Sequence, residues 1–274
     1  MKMKLLCCDL DFTLLDSEKK VSEGNYAAIQ EMIKKGHHFA IVSGRPLVSA
    51  LRVAHEYGLD TEGTYIATFN GGQIYDCSKG EVVKEYRMNL SDVEYIFSEA
   101  KAAGLHVHTY ADNDSKLLCE KNTPELKMYT EHNKMEAVVA DNPLTLLDKA
   151  PIKTIVMSVN GRKDLEPFRQ SHLGWSEGRL SCLFSCDVIL EYENPLVGKG
   201  NAVRMLAEHL GVDMADTVAV GDEENDISMM EAAAVGVCMC NGPEHVKPHA
   251  DYITEHNNDE DGVAEVIYKF ILND

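Results

Sequence analysis

The stretch Lys4-Leu5-Leu6-Cys7-Cys8-Asp9-Leu10-Asp11-Phe12-Thr13-Leu14-Leu15 decides how this chain is read. An apolar run stops abruptly at two carboxylates spaced i and i+2. A continuous apolar segment without alternation is what a central strand looks like when helices cover both faces of a parallel sheet. In an open α/β sheet the carboxyl ends of such strands are where ligands sit. Side chains alternate along an extended chain, so Asp9 and Asp11 fall on the same side and two like charges are forced close. That arrangement is costly without a cation. One Asp after a strand is ordinarily a turn residue; the pair in Asp9-x-Asp11-x-Thr13 points to more.

Working outward, composition bounds the answer. At 274 residues and 45% hydrophobic content, the chain can bury a sizeable core and exceeds one average domain, so two domains are expected. A net charge of -19, from 26 basic against 45 acidic residues, argues against nucleic acid or an anionic membrane as partner. A phosphate ligand would have to be drawn by local cations or a metal against that field. The eight cysteines form no C-x-x-C pair and read as reduced, structural thiols. The first apolar run is too short for a secretory signal and no 18-residue apolar span follows, so a cytoplasmic protein is expected.

Strands and helices then alternate. Ser22 is placed to cap a helix over 22–35, with Ala28, Ile29, Met32 and Ile33 at helical spacing and Gly36 after it. A strand over 38–42 ends in Ser43-Gly44-Arg45-Pro46, and Pro46 opens a helix reaching Gly58. A strand over 65–69 ends in Asn70-Gly71-Gly72, and a hairpin over 73–84 turns at Ser78-Lys79-Gly80. Three successive strands thus finish in carboxylate, hydroxyl, amide or Gly residues, which is how a doubly wound α/β domain builds a site along one edge.

From about residue 86 the texture becomes α+β with antiparallel strands. Ser91 with Glu94 predicts a capping box; alternation over 105–110 predicts a strand on which His106 and His108 share a face, as a solvent-facing or packed pair or as a substrate contact. Asp112-Asn113-Asp114 reads as a turn. Further strands are expected at 116–119, 152–159, 179–184 and 188–192, with helices at 124–134 and 162–172. The α/β texture returns where Gly198-Lys199-Gly200 opens a helix closed by Gly211. A strand over 217–220 then ends at Gly221-Asp222-Glu223-Glu224-Asn225-Asp226. Strands at 235–239 and near Tyr252 and a helix over 262–271 finish the chain. The expected division is 1–85 and 191–274 for one domain and 86–190 for the insert.

Asp9, Asp11 and Thr13, Ser43 with Gly44 and Arg45, Lys199, and Asp222, Asn225 and Asp226 each have an ordinary reading alone, as turn, cap or solvated charge. Together they supply carboxylates for a hard divalent cation and a hydroxyl, an amide and an ammonium for phosphate oxygens. In this order they resemble the four motifs of a haloacid dehalogenase superfamily phosphatase, specifically the Cof-type subfamily with a type IIB cap inserted between the second and third motifs. The likeness spans essentially the whole chain, including Asp259-Glu260-Asp261-Gly262-Val263-Ala264. Phe12 departs from it, since this subfamily usually has Gly there.

The resemblance implies an α/β fold, a doubly wound Rossmann-like parallel-sheet core with an inserted α+β cap domain. It implies a phosphatase in which Asp9 is the nucleophile and Asp11 the acid and base, with Thr13 orienting the loop. Ser43, Gly44, Lys199 and Asn225 would bind phosphate. Mg2+ would be held by Asp9, Asp222 and the Asp11 carbonyl, with Asp226 acting on it directly or through another ligand. Arg45, Asn70 and Gly71 are candidate substrate contacts, and the cap should set preference among small phosphorylated molecules: sugar phosphates, nucleotides or cofactor phosphates. A phosphomutase of the same superfamily and a non-enzymatic phospho-aspartate switch are the alternative readings. Oligomeric state is not legible.

Overall fold

In the computed structural model, which describes residues 2–111 and 115–273, the opening apolar run forms strand β1 (Leu5–Cys8), buried at every position. The Asp112-Asn113-Asp114 turn lies outside the described residues. The Ser22 hydroxyl accepts a hydrogen bond from the Asn25 amide and caps α1 (Glu23–Lys34). There follow β2 (His38–Val42), α2 (Leu47–Glu56), β3 (Thr64–Thr68), β4 (Gln73–Asp76) and β5 (Glu81–Glu85). The insert contains α3 (Leu90–Ala102), β6 (His106–Ala111), β7 (Lys116–Cys119), α4 (Pro124–Asn133), β8 (Glu136–Val139), β9 (Lys153–Met157), α5 (Arg162–Ser176), β10 (Ser181–Cys186) and β11 (Ile189–Glu193). The chain then continues through α6 (Lys199–Leu210), β12 (Thr217–Gly221), α7 (Ile227–Ala232), β13 (Val235–Cys238), β14 (Tyr252–Ile253) and α8 (Gly262–Val266), whose last turns, Ile267–Leu272, widen to a π-helix.

One sheet has the order β14-β13-β12-β1-β2-β3-β4-β5. Its strands from β14 to β3 are parallel, and β4 turns back against β3. Strand order therefore grows outward from β1 in both directions, β2 and β3 on one side and β12 and β13 on the other. The switch point lies between β1 and β12, where a crevice forms beyond the strand ends. Ala28, Ile29 and Met32 of α1 and Val263 and Ile267 at the chain's end bury one face against Leu6, Cys8, Phe39, Ile41, Val218 and Val220. Each Val, Leu, Ile, Phe or Met side chain among them is worth about 1.5–3 kcal/mol when removed from water.

The second sheet has the order β10-β11-β9-β6-β7-β8. α3 and α5 cover one face, with Val93, Ile96, Phe97, Leu165 and Phe168 packed on Val107, Val156, Leu190 and Tyr192. Its strands are not all antiparallel as expected, because β8 pairs parallel with β7. A helix, α4, intervenes between them, and parallel neighbours need such a crossover. β8 itself was not expected: Glu136-Ala137-Val138-Val139 lacks alternation and lies at an exposed edge. The expected capping box at Ser91 does not form, since α3 starts two residues earlier than that cap requires, at Leu90, with Asn89 at the cap position. His106 and His108 are packed into the sheet, 6% and 0% exposed, their rings bonded Nε2 to Nδ1 at 3.0 Å and His106 Nδ1 bonded to the Thr123 hydroxyl.

The compact units follow the two sheets. One takes the chain up to Arg45, Ala50–Lys84 and everything from Gly198; the other takes Glu85–Val197 with Pro46–Ser49. The second unit extends to Val197, past residue 190, because β11 runs to Glu193 as a member of its sheet. No helix among the described residues is long and apolar enough to cross a membrane.

Candidate active site

Three segments of the first unit converge at the switch point. The Asp9 amide donates to the Val220 carbonyl at 2.9 Å, so the ladder carries on past β1 and leaves the Asp9 side chain at the carboxyl edge, 7% exposed. Beyond β12, Asp222 accepts a 2.8 Å hydrogen bond from the Thr13 hydroxyl. Asp226 closes a single 3-10 turn, Glu224–Asp226, and folds back so that its Oδ2 accepts from the amides of Asp222 and Glu223, each at 3.0 Å. Gly221 permits this: a Cβ there would stand 2.4 Å from the Asp226 carboxyl carbon.

Lys199, the first residue of α6, is 1% exposed and places Nζ 2.5 Å from both Asp9 Oδ1 and Asp226 Oδ1. Asp9, Asp222 and Asp226 offer oxygen atoms all within 4.8 Å of one another. Three buried carboxylates thus face one ammonium. Burial pushes the Asp9 carboxyl up to about 7, the Asp226 and Asp222 charges adding to it and Lys199 opposing. Burial likewise lifts Asp222 to about 7 against the Thr13 hydrogen bond. Burial would lower Lys199, but Asp226 and Asp9 outweigh it and hold the ammonium above its ordinary value. All-oxygen donors and surplus negative charge fit a hard divalent cation such as Mg2+.

Asp11 stands outside this cluster. Phe12 at φ +58 turns the chain sharply, and the Asp11 carboxylate is gripped by Arg45, Nε to Oδ2 at 2.8 Å and Nη2 to Oδ1 at 2.6 Å, and by Lys19 Nζ at 3.0 Å. Partial burial raises its pKa, but Arg45 and Lys19 together outweigh that and leave it below the usual value. The two carboxylates of the opening motif are therefore driven apart in proton affinity by their surroundings. Lys19 had no signal in the sequence, where Glu18-Lys19-Lys20 reads as a solvated run; only the turn that puts Lys19 at φ +65 brings its side chain back.

Ser43, 2% exposed, follows β2; its hydroxyl accepts from the Arg45 amide and its carbonyl from the Asn70 amide. Asn70 sits at φ +56, and its buried Oδ1 has no hydrogen-bond partner, lying 3.1 Å from where a Cβ on Gly44 would be. Gly71 at φ +93 packs so closely on the entry to α6 that a Cβ would meet Ala202 at 2.8 Å. The structure thus joins Asp9, Thr13, Lys199, Asp222 and Asp226 directly, and links Asp11 to Arg45 and Ser43 to Asn70. Asn225 is exposed on its turn and bonds to none of these among the described residues.

A family model described as haloacid dehalogenase-like hydrolase matches residues 6–267. A relative from Streptococcus pyogenes serotype M6, named "Putative phosphatase", is 32% identical over a 279-residue alignment that covers all of both chains. The 5-amino-6-(5-phospho-D-ribitylamino)uracil phosphatase YcsE of Bacillus subtilis is 27% identical, over 98% of this chain and 96% of its own. Among solved structures, a haloacid dehalogenase-like hydrolase from Bacteroides thetaiotaomicron superposes with a TM-score of 0.87 at 29% identity, over 98% of this chain and 99% of its own. The chain therefore belongs to the haloacid dehalogenase-like hydrolase family.

Proposed function

We propose that this chain, a phosphatase of its family, is magnesium-dependent and hydrolyses small phosphate monoesters through an aspartyl phosphate on Asp9. The observation that carries the reading is Lys199 buried between Asp9 and Asp226 at the sheet's switch point, with Asp222 beside them. A desolvated ammonium fixed next to a carboxylate is a preorganised partner for the oxygens of a transferring phosphoryl group.

In the first step an Asp9 oxygen bonds to phosphorus as the ester P–O bond breaks in line, and Asp11 gives its proton to the leaving oxygen. In the second step Asp11, now the carboxylate, takes a proton from water, whose oxygen displaces Asp9 and releases inorganic phosphate. Lys199 and the Ser43 hydroxyl hold the phosphoryl oxygens, with Gly44 and Asn225 contributing; Arg45, Asn70 and Gly71 border the substrate. The ion pairs with Arg45 and Lys19 favour Asp11 in the form the second step needs, so proton donation in the first requires them to loosen. Asp9, Asp222 and the Asp11 carbonyl, with Asp226 in reach, would hold magnesium, which would supply charge neutralisation there. Without it the carboxylates and a phosphate dianion repel by several kcal/mol at an effective dielectric of ~20.

The named activity of the relative YcsE supports a small phosphorylated substrate, within the classes of sugar phosphates, nucleotides and cofactor phosphates. The cap, residues 86–190 by the sequence division, is assigned the choice among them. Eight free thiols suit a reducing compartment, and we assign the protein to the cytoplasm. Phosphate release from a panel of monoesters, with and without Mg2+, tests the reading. Metal-dependent release that Asp9→Asn abolishes is expected; full turnover in excess chelator would overturn it.

A further inference from the structure

Phe12 holds φ +58, in the left-handed region that strains any residue with a Cβ and that glycine adopts freely. Burial does not compensate, since the residue is 49% exposed. The turn is nonetheless fixed: Asn241 Nδ2 donates to the Phe12 carbonyl at 2.9 Å. Lys19, also at positive φ, returns its ammonium to 4.2 Å from the ring centroid while the same Nζ lies 3.0 Å from Asp11 Oδ1. The ring and the Asp11 carboxylate therefore flank one ammonium. Two strained residues that maintain an exposed aromatic ring beside a reactive carboxylate mark a ligand contact more than a need of the fold.

We propose that Phe12 is a specificity-determining residue, a platform on which a planar aromatic or heterocyclic leaving group stacks while its ester oxygen lies at Asp11. With Lys19 over its ring, Phe12 is still 49% exposed, and that exposed part of the ring is what the leaving group meets. Offset stacking between aromatic rings adds attraction beyond area burial, which a puckered sugar or an alkyl chain does not match. The preferred substrates are accordingly monoesters with a flat ring within a few bonds of the phosphate. This rests on the reading of Asp11 as the group facing the leaving oxygen.

The test uses two probes of like size and leaving-group chemistry, benzyl phosphate and cyclohexylmethyl phosphate, both esters of primary alcohols, with wild type, Phe12→Gly and Phe12→Trp in Mg2+. Wild type is expected to prefer the benzyl ester about tenfold in kcat/KM, chiefly through KM. Phe12→Gly, which suits the backbone, should bring the ratio close to one, and Phe12→Trp should keep or raise it. A wild-type ratio near one, or a ratio that Phe12→Gly leaves intact, overturns the proposal. Calorimetric binding of benzylphosphonate against cyclohexylmethylphosphonate to the same three proteins separates the two readings. A binding preference that Phe12→Gly abolishes upholds the platform even if neither ester is hydrolysed, and equal binding by wild type refutes it whatever the turnover.

Discussion

Lys199 Nζ stands 2.5 Å from Asp9 Oδ1, two residues 190 positions apart in the chain, and solvent reaches only 1% of the lysine. Among the described residues Lys199 is the one cation bonded to the cluster, so its loss leaves Asp9, Asp222 and Asp226 facing each other unscreened. Lys199→Ala should lower kcat/KM by ~10²-fold or more, because a dry charge contact with the transferring group disappears. Breaking a buried pair by removing one partner costs about 3–5 kcal/mol in general, and part of that should be recovered here by added Mg2+ or by protonation. Steady-state kinetics and thermal melts with and without metal check both effects; a near-wild-type rate would place the phosphate pocket elsewhere.

Proton uptake by the cluster gives a second prediction, with a definite sign. Asp9 and Asp222 are raised from the ordinary 3.8 to about 7. A carboxylate whose folded pKa is raised contributes stability that is fully present below its unfolded pKa and is lost as pH climbs through the folded value. The metal-free protein should therefore lose stability between about pH 4 and pH 7 from these groups, the window those pKa values bound. Mg2+ needs the ionised forms, so its affinity should rise with pH and level off above about 7, and its stabilising effect should be greater at pH 8 than at pH 5. Calorimetric titration of Mg2+ across that range, and melting temperatures in parallel, supply the measurement. A Kd that does not change between pH 5 and pH 8 would contradict the assignment of these carboxylates to the metal.

Gly221 predicts how tightly the turn is built. A methyl group there meets the Asp226 carboxyl carbon at 2.4 Å, and Asp226 cannot retreat without losing the amides of Asp222 and Glu223. Gly221→Ala should cost about 1–3 kcal/mol, the usual range for overpacking a filled interior. Because the displaced group is also a candidate metal ligand, Mg2+ affinity should fall with it. Denaturant unfolding read beside metal titration separates this from a general loss of stability, which would weaken the fold and leave the metal affinity of the folded fraction alone.

The sequence made the strand ends legible because each is marked locally: an apolar run followed by Asp9, Ser43 or Asp222, and Gly198-Lys199-Gly200 before an amphipathic helix. The core sheet, the helices on it and the central position of β1 follow from the same punctuation. What escaped depended on contacts between distant positions or on backbone angles. Thr13 bonds Asp222 from 209 residues away, and Lys19 reaches Asp11 only because of a left-handed turn that a run of charges does not announce. Asn89 rather than Ser91 takes the cap position of α3, without a capping hydrogen bond from its side chain, and local signals do not rank the two residues. β8 was missed because an exposed edge strand needs no alternating pattern, there being little to bury.

The last prediction separates Asp9 from Asp11, neighbours in sequence whose surroundings push their proton affinities in opposite directions. Asp9→Asn removes the nucleophile, so no ester, however reactive, should turn over above background. Asp11→Asn removes only the proton carrier and the partner of Arg45 and Lys19. With a leaving group of low pKa, such as nitrophenolate, the first step needs little protonation and should proceed, whereas an alkyl phosphate should react slowly. The second step still lacks its base. Asp11→Asn given nitrophenyl phosphate should therefore release a burst of about one equivalent of nitrophenolate and then turn over slowly as the aspartyl phosphate accumulates, the behaviour of a double displacement with its second step impaired. Rapid-quench kinetics and the intact mass of the quenched protein would reveal the phosphoryl adduct. A burst from Asp9→Asn with Asp11→Asn inert towards the same ester would exchange the two roles.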